Sequence, residues 1–367
     1  MPPLPFQIDR SSRLSLTRQL VDGFRRAIAE GRYAEGGLLP SLAEITAATG
    51  VCPVVVRSAI RRLAAEGIVN PRPGYGTVVL DAKTARWRGH VAIITAEISD
   101  NYTHAQLAGR IAGALVKSGY LVTKVPVPPD NEKRNTAPPL EALLSEGITH
   151  AIVIGTLSPS VYQALKKARI PRITLSYGYS PVKPAGTVLR LDPLSALPDL
   201  VAHCRASGVK SVVYVVYEHD TPDVRRAFEE AGIACRLAPV VRPQDALEVD
   251  SATELAMRGM DRWLEGGAAP LPDLLFFTDN ILAEGALLAL MRHGVRIPED
   301  VGFATWMPKG DRPVYWKEIT RLETDPMKDG DKIGRIILRI LAGGAAPSSP
   351  VLTSVFKAGE TFPATGN

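Results

Sequence analysis

The stretch from Leu39 to Leu80 decides the fold of the N-terminal part of the chain: LPSLAEITAATGVCPVVVRSAIRRLAAEGIVNPRPGYGTVVL. Ser41 is followed three residues later by Glu44, which is the spacing of a capping box. This pair predicts a helix that begins after Ser41 and ends near Thr49. Upstream, apolar residues at steps of three and four predict an amphipathic helix over 16–30.

The same stretch continues with Gly50, which favours a left-handed turn, and then with a second predicted helix over 53–66. Pro53 suits the first position of this helix because its missing N–H would have no partner there. Two short predicted strands, 68–69 and 78–80, are joined by a glycine-rich turn. The order of helix, helix, tight turn, helix and hairpin is that of a winged helix-turn-helix, whose second motif helix enters the DNA major groove.

The candidate DNA-binding residues lie mainly on this second helix and on the hairpin turn. Arginines neutralise phosphates, apolar side chains contact thymine methyl groups, and glycines let a backbone approach the groove closely. We predict DNA contacts from Ser41, Val54, Val55, Arg57, Arg61, Arg62, Arg72, Gly74, Tyr75 and Gly76. The alternative for each arginine is an ordinary solvated position on a surface helix.

The charge distribution agrees with a nucleic-acid partner. The chain has a net charge of +5, but residues 1–90 contain 13 Lys and Arg against 7 Asp and Glu, whereas residues 91–367 contain 30 against 31. The positive excess therefore lies in the first quarter of the chain, as binding to a phosphate backbone requires. We predict double-stranded operator DNA as a partner.

The overall composition narrows the function classes. Hydrophobic residues make up 46% of the 367 residues and charged residues 22%, a globular balance with length for two or three domains. No uninterrupted apolar run is long enough for a membrane span, and the N-terminal segment lacks the pattern of a secretory signal. The 3 cysteines and 6 histidines are dispersed. We therefore expect a cytoplasmic protein with no membrane partner, no metal and no cofactor.

From about residue 89 the pattern changes to alternating apolar strands and amphipathic helices, which predicts parallel sheets covered on both faces. About ten units exceed one sheet, so we predict an α/β fold with two doubly wound lobes. The expected domains are a winged helix-turn-helix (1–80), a linker (81–88) and a two-lobed domain (89–367). Strands are predicted near 91–94, 120–123, 151–154, 173–175, 212–216, 238–241, 274–277 and 301–304.

Polar and aromatic residues follow the ends of several predicted strands. Ligands of such folds bind at the carboxyl ends of the strands, and a cleft between two lobes encloses a polar molecule. We predict an effector site formed by Asp100, Asn101, Tyr102, Tyr177, Asp279, Asn280 and Trp306. Carboxylates and amides would bond hydroxyl groups while aromatic rings stack, which suits a sugar-like molecule. The alternative is that these Asp and Asn residues are only turn formers.

Residues 14–80 resemble the DNA-binding domain of the GntR family. The matching residues are Leu39-Pro40-Ser41, Gly50-Val51, Val56-Arg57, Ala59, Arg61-Arg62-Leu63, Glu66-Gly67, Gly74 and Gly76-Thr77. The resemblance implies DNA contacts from Arg57 and from the glycines of the wing. This sequence departs from the family at Ala43, where the family has an arginine, and at 52–55, where Cys-Pro-Val-Val replaces Ser-Arg-Thr-Thr. The family's operator sequence is therefore not carried over.

Residues 89–360 resemble the periplasmic-binding-protein-like effector domain of LacI-type repressors. The resemblance lies in residues 98–109, in Thr278-Asp279-Asn280 with Gly285-Ala286-Leu287, and in Arg296-Ile297-Pro298-Glu299-Asp300-Val301. It implies a sugar-like effector. The family's ligand-contacting arginine falls on Val224, and its acidic pair is replaced by Met307-Pro308. The aspartate of the family's Asn-Asp pair corresponds either to Asp279 or to Asn280.

Together these features predict a ligand-responsive transcription regulator that binds DNA as a homodimer, because operator symmetry mirrors protein symmetry. One alternative is a sensor or binding module whose DNA-binding function has been lost through the departures at 43 and 53–55. A second alternative is an enzyme. The sequence does not favour it, since no nucleophile elbow, metal cluster or P-loop is present.

Overall fold

The computed structural model describes residues 4–12, 14–80, 88–96, 102–127, 140–141, 143–144, 147–155, 159–177, 186–216, 222–238, 240, 251–266 and 270–362. It confirms the predicted fold class, a winged helix-turn-helix followed by two lobes that each contain a largely parallel sheet. Within these residues, no helix is both long and apolar enough to span a bilayer.

The N-terminal domain, called the head below, packs three helices against a small antiparallel sheet with the strand order β1-β3-β2. Its elements are α1 (Leu16–Ala29), β1 (Leu38–Leu39), α2 (Leu42–Thr49), α3 (Pro53–Ala65), β2 (Val69–Arg72) and β3 (Gly76–Val79). The apolar face of α1 contributes Leu20 and Phe24, which are fully buried against Ile45 of α2 and Leu63 of α3. The apolar faces of the three helices therefore meet to form the core of the head.

The local signals of the head act as the sequence predicts. The Ser41 side chain accepts a hydrogen bond from the Glu44 N–H, and the Glu44 carboxylate accepts one from the Ser41 N–H, completing the capping box. Gly50 has a φ of 65°, in the left-handed region that favours glycine. Pro53 occupies the first turn of α3. These signals fix where α2 ends and α3 begins.

The first lobe contains a six-stranded parallel sheet with the order β14-β8-β7-β6-β4-β5. Its strands are β4 (Gly89–Ala96), β5 (Tyr120–Val127), β6 (His150–Ile154), β7 (Arg172–Ser176), β8 (Thr187–Asp192) and β14 (Leu352–Thr353). Helices α4 (Tyr102–Lys117) and α5 (Pro159–Ala168) cover opposite faces of the sheet through two separate apolar clusters. Both faces are therefore buried, as the continuous apolar strands predict.

The second lobe repeats this arrangement with the strand order β10-β9-β11-β12-β13-β15, in which only β15 is antiparallel among the described strands. Its strands are β9 (Ser211–Val215), β10 (Ala234–Leu237), β11 (Leu274–Phe277), β12 (Gly302–Pro308), β13 (Thr320–Thr324) and β15 (Val355–Lys357). Its helices are α6 (Leu197–Ala206), α7 (Pro222–Glu230), α8 (Ala252–Glu265) and α9 (Asn280–Arg292).

The chain crosses between the lobes three times, after β8, after β13 and after β14. The second crossing leads into α10 (Pro326–Leu341), which packs on α4 of the first lobe, where Gly330 and Gly334 allow the two helices to approach closely. The first and third crossings are tied together. The Ser354 N–H donates to the Ser195 hydroxyl at 2.8 Å, and the Ala196 N–H donates to the Ser354 hydroxyl at 3.1 Å.

Two predictions about strands need correction. The strand expected at 238–241 lies instead at 234–237, and Val240 is a buried residue whose carbonyl packs against Gly259 of α8. Strands β8, β13, β14 and β15 and helix α10 were not predicted. Strand β13 was missed because a buried strand is expected to be apolar, whereas β13 contains Arg321 and Glu323. These two residues can be buried because they form a 2.8 Å ion pair with each other.

Candidate functional site

One face of α3 is open to solvent and carries cations beside an apolar side chain. Arg57 and Arg61 are exposed and lie one turn apart. Val54, three residues before Arg57, is 71% exposed. Val56, Ala59, Ile60 and Leu63 occupy the opposite, buried face. The helical spacing therefore brings Val54, Arg57 and Arg61 together on one solvent-exposed face of α3.

The hairpin turn between β2 and β3 forms an exposed wing. The Tyr75 N–H donates to the Arg72 carbonyl at 3.1 Å, and Gly74 between them has a φ of 73°. A proline followed by a left-handed glycine is typical of a type II turn. Tyr75 at the tip is 62% exposed and Arg72 is exposed. Gly76 has a φ of 122°, so it too requires glycine.

Three of the predicted DNA-binding residues have structural partners within the head. The Ser41 hydroxyl serves the capping box of α2. Val55 is half-buried against the head core, and the Nε atom of Arg62 lies 3.9 Å from a carboxylate oxygen of Glu66. Val55 and Arg62 lie on α3 with the exposed face formed by Val54, Arg57 and Arg61, whereas Ser41 lies at the start of α2.

On the first-lobe side of the predicted effector site, Tyr102 opens α4 and reaches the second lobe. A Cβ atom at Gly310 would lie 2.6 Å from the Tyr102 hydroxyl, so this approach across the two lobes requires glycine at residue 310. Gly310 has a φ of 98°. Asp100 and Asn101 were predicted to accompany Tyr102, and they lie outside the described residues.

His104, one turn further along α4, is a buried residue that the sequence analysis missed. Its Nε2 atom lies 3.1 Å from the hydroxyl of Tyr177, which follows β7, and the two rings stack 5.8 Å apart. Burial lowers the pKa of His104 to about 4, so the ring is neutral near pH 7. The sequence did contain a signal for His104, because it is a polar residue at the helical spacing of Leu107 and Ile111, on the buried face of α4.

On the second-lobe side, Asp279 and Asn280 lie at the start of α9, directly after β11. The Asp279 carboxylate caps the helix by accepting from the Ile281 N–H at 2.8 Å. Burial raises the pKa of Asp279, and the neighbouring Asp311 carboxylate adds to the increase. The Asn280 amide donates to Asp311 at 3.0 Å. Asp311, which the sequence analysis missed, thus joins the predicted pair.

Trp306 lies on β12 and packs into the apolar core of the second lobe with only 6% of its surface exposed. Its indole N–H has no hydrogen-bond partner in the described part of the chain, and neither has the buried Thr324 hydroxyl on the neighbouring strand β13. Unpartnered buried polar groups are costly and point to a ligand or ordered water. The indole N–H, more than the face of the ring, is the polar group that Trp306 offers.

The residues with chemistry for metal ligation are separated. No group of three or more His, Cys, Asp or Glu residues that could hold a metal ion occurs among the residues with described positions.

Two family models match the chain. Residues 16–79 match the model for bacterial regulatory proteins of the gntR family, and residues 201–362 match the model for the periplasmic binding protein-like domain. The first match covers the head from α1 to β3, and the second covers the second lobe and the segment that returns through α10. Both agree with the resemblances that the sequence predicts.

Solved structures of LacI family transcriptional regulators share the fold of the two lobes, which together we call the body. One from Silicibacter pomeroyi is 18% identical, with a TM-score of 0.55 and coverage of 75% of this chain and 99% of that chain. One from Arthrobacter sp. FB24 in complex with lactose is 18% identical, with a TM-score of 0.56 and the same coverages. One from Mycobacterium smegmatis is 16% identical, with a TM-score of 0.57 and again 75% and 99% coverage.

A curated relative matches a short part of the chain. This uncharacterized HTH-type transcriptional regulator of Rhizobium meliloti (strain 1021) is 38% identical over 72 residues, which are 20% of this chain and 30% of the relative. The match thus spans less than a third of the length of that relative. The chain thus joins a head that matches the model for bacterial regulatory proteins of the gntR family to a two-lobed body, of which residues 201–362 match the periplasmic binding protein-like model and which has the fold of the LacI family regulators.

Proposed function

We propose that this protein is a ligand-responsive transcription regulator. The head binds double-stranded operator DNA, and a small polar effector binds between the two lobes. The observation that carries the proposal is the exposed face of α3, where Arg57 and Arg61 lie beside Val54 and next to a positively charged wing.

The exposed face suits a DNA groove in shape and in charge. Arg57 and Arg61 can neutralise phosphates or bond guanine edges, and Val54 offers apolar contact to a thymine methyl group. In the wing, Arg72 and Tyr75 stand at the tip of a turn whose glycines allow close backbone approach. Val55, Arg62 and Ser41 remain predicted contacts.

The effector site is proposed where the carboxyl ends of the strands from both lobes meet. The first lobe contributes Tyr102 and Tyr177, and the second contributes Asp279, Asn280 and Trp306. These groups offer hydroxyl, amide, carboxylate and indole hydrogen bonds beside aromatic rings, which suits a sugar or sugar derivative. The structural relative from Arthrobacter sp. FB24 was solved with lactose, which supports a carbohydrate as the effector class.

We further propose that the protein acts as a homodimer in the cytoplasm. A dimer would present two heads to a pseudo-palindromic operator. The effector would alter closure of the lobes and hence the spacing of the heads. By linkage, the effector would then change DNA affinity by the same factor by which DNA changes effector affinity. No catalytic role is assigned to any residue.

A second candidate function is a small-molecule sensor without DNA-binding activity. The opening of α3 favours it, because Cys52 at the N-cap makes no side-chain capping bond and Pro53 and Val54 offer phosphates no polar side chain. The two functions differ in salt dependence. A working head gives a steep fall of log affinity with log salt, whereas residual binding by a neutral surface gives a shallow one.

The test is a gel shift with the duplex of the protein's own promoter region at several salt concentrations. The wild-type protein should retard the duplex at micromolar concentration. Replacing Arg57 and Arg61 together by Ala should weaken binding by roughly a hundredfold and reduce the salt slope by about 2. The exposed Lys166→Ala variant in the first lobe is the control. Absence of retardation by the wild-type protein at low salt would contradict the proposal.

The effector is sought with a thermal-shift screen of mono- and disaccharides and their acids, since a ligand of the folded state raises the unfolding midpoint by mass action. Trp306→Phe keeps an aromatic ring in the core and removes the indole N–H together with the five-membered ring that carries it. A sugar that binds at the proposed site should therefore give a smaller shift with this variant than with the wild-type protein. An equal shift in both would place the sugar elsewhere.

A further inference from the structure

The head makes a direct hydrogen bond to the first lobe. The Arg18 guanidinium, near the start of α1, donates through Nη2 to the carbonyl oxygen of Thr149 at 2.8 Å. Thr149 immediately precedes β6 and is buried. This bond joins the two domains in addition to the covalent connection through residues 81–87, which lie outside the described residues.

The acceptor on the lobe is held in a fixed position. The Thr149 N–H and its hydroxyl both donate to the His90 carbonyl, at 2.7 Å and 2.9 Å. Because His90 is on β4 and Thr149 precedes β6, these bonds tie the N-terminal ends of two central strands together. His150 beside them is neutral near pH 7, since burial, with Arg18 and Arg25 nearby, lowers its pKa to about 4. Arg18 therefore meets a carbonyl that is held in place beside a neutral histidine.

An unbroken series of ion pairs continues from Arg18 to the recognition helix. We call it the charge chain, and its members are Arg18, Asp22 and Arg25 of α1, Glu66 at the end of α3, and Arg62 on α3. The successive nitrogen-to-oxygen distances are 3.3, 2.6, 2.6 and 3.9 Å. The side chains at two positions are mostly covered, Arg18 with 15% exposure and Glu66 with 12%.

The charge chain is more than an ordinary surface ion pair. Charged side chains are seldom covered unless each has a partner, and here every charge between Arg18 and Arg62 alternates in sign with its neighbour. Arg25 bridges two carboxylates, Asp22 on its own helix and Glu66 on α3. Movement of α1 relative to α3 would break this bridge and leave covered charges without partners, so the two helices are held as one unit.

We propose that the head is docked on the first lobe through α1, so that the recognition helix and the first lobe move as one body. The use of this docking for regulation rests on the proposed function, whereas the docking itself does not. The charge chain supplies the connection within the head, and the Arg18 to Thr149 bond supplies the connection to the lobe.

Strands β4 and β6 connect the docked head with the proposed effector site. The N-terminal ends of β4 and β6 face the head, and their C-terminal ends lead to the effector site, where His104 packs against Gly155. With five residues β6 spans about 17 Å, with eight residues β4 spans about 26 Å, and both pack rigidly within the sheet. Closure of the lobes around a ligand pivots at the three crossings. A head fixed to the first lobe is carried along by that rotation.

The docking is tested by time-resolved fluorescence anisotropy with a probe on Cys52. This cysteine is exposed at the start of α3, Cys204 is buried, and the half-buried Cys235 is replaced by Ser. In the full-length protein with Arg18 intact, we expect the probe to rotate slowly with the whole molecule. Arg18→Ala should add a fast component, because loss of a charged hydrogen bond shifts the docking equilibrium roughly tenfold or more.

The matched control is Arg26→Ala, an exposed arginine on the same helix, which should keep the slow rotation. Arg18→Lys retains the charge beside Asp22 but has no guanidinium fork, so it should give an intermediate result and serves if Arg18→Ala does not fold. A fast component already present with Arg18 intact, or identical rotation in the Arg18 variants, would overturn the docking.

The regulatory use is tested by hydrogen exchange with the promoter duplex as the probe. Binding of the duplex to the wild-type protein should change the protection of residues 89–96 and 147–155, and Arg18→Ala should abolish that change while still retarding the duplex. If the wild-type protein does not retard the duplex, the proposed function fails, but the anisotropy result still decides the docking. If both proteins show the same protection change, the link through Arg18 is wrong.

Discussion

The head and the effector site organise their candidate residues in opposite ways. In the head, all the residues predicted to contact DNA come from one stretch between Ser41 and Gly76, and those on the open face are exposed. The described residues of the proposed effector site come from positions between Tyr102 and Asp311, and each is buried or half-buried. A surface formed by one short stretch of the chain can be predicted from the sequence. A site that is assembled from the ends of distant strands depends on the tertiary fold.

The two regions also differ in the charged side chains that they expose to solvent. Apart from the paired charges of the charge chain, the head exposes arginines to solvent on one helix face, where their charge reaches a partner at long range. The body pairs its buried charges internally, as Arg321 and Glu323 do, or keeps a titratable group neutral, as with His104. This difference predicts that damage to the head will be separable from damage to the body.

The largest expected effect tests that separation in the core of the head. Phe24→Ala removes a fully buried ring from a small core and should cost about 3–5 kcal/mol of unfolding free energy. Since a domain of this size has little stability to spare, the head should unfold and DNA retardation should be lost. Calorimetry should show that the main transition of the body remains. A downward shift of the whole transition by the full amount would show that head and body unfold as one unit.

The second prediction concerns pH and the body alone. Burial lowers the pKa of His104 from 6.5 to about 4, so the unfolded state binds a proton more readily than the folded state. The stabilisation is present above pH 6.5 and is lost as the pH falls towards 4, amounting to up to about 3 kcal/mol. Urea unfolding of the wild-type protein and of His104→Gln across this window should show a flatter pH dependence for the variant.

Other groups titrate in the same window but do not obscure this comparison. His150 has a similarly lowered pKa, and burial raises the pKa of Asp329 to about 6, which contributes with the opposite sign. Both remain in His104→Gln, so the difference between the two curves isolates His104. Parallel curves for the two proteins would show that His104 titrates as freely in the folded state as in the unfolded state.

The smallest expected effect concerns the crossings between the lobes. Ser195→Ala removes the hydroxyl that accepts from the Ser354 N–H, and Ser354→Ala removes the hydroxyl that accepts from the Ala196 N–H. Each should cost about 0.5–1.5 kcal/mol in urea unfolding. A double-mutant cycle should give a non-zero coupling energy, because the two hydroxyl groups lie 3.4 Å apart. Simple additivity would mean that the crossings are not tied through this pair.

Much of the head could be read before the structure was known. The capping box, Gly50 and Pro53 each act within a few residues of themselves, so their positions in the sequence fix the ends of α2 and α3. The departures of residues 52–55 from the family pattern could also be seen in the sequence, and the structure shows their consequences. Cys52 leaves the helix without a side-chain cap, and Val54 stands exposed.

The body was predictable as a class but not in its connections. Apolar strands such as 274–277 were found because burial on both faces leaves them without polar residues. Strand β13 was not, because its charged residues Arg321 and Glu323 compensate each other inside the protein. His104 and Asp311 were missed for a different reason, since their partners, Tyr177 and Asn280, are 73 and 31 residues away.

By itself, the sequence determined the two-part organisation, the winged helix-turn-helix and the presence of two layered lobes, because these follow from periodicity and from interactions between near neighbours. The tertiary structure alone decided which polar groups lie at the proposed effector site, how the chain returns to the first lobe through α10, and that Arg18 joins the head to Thr149. Those features depend on contacts between residues far apart in the chain, whose partners no local pattern specifies.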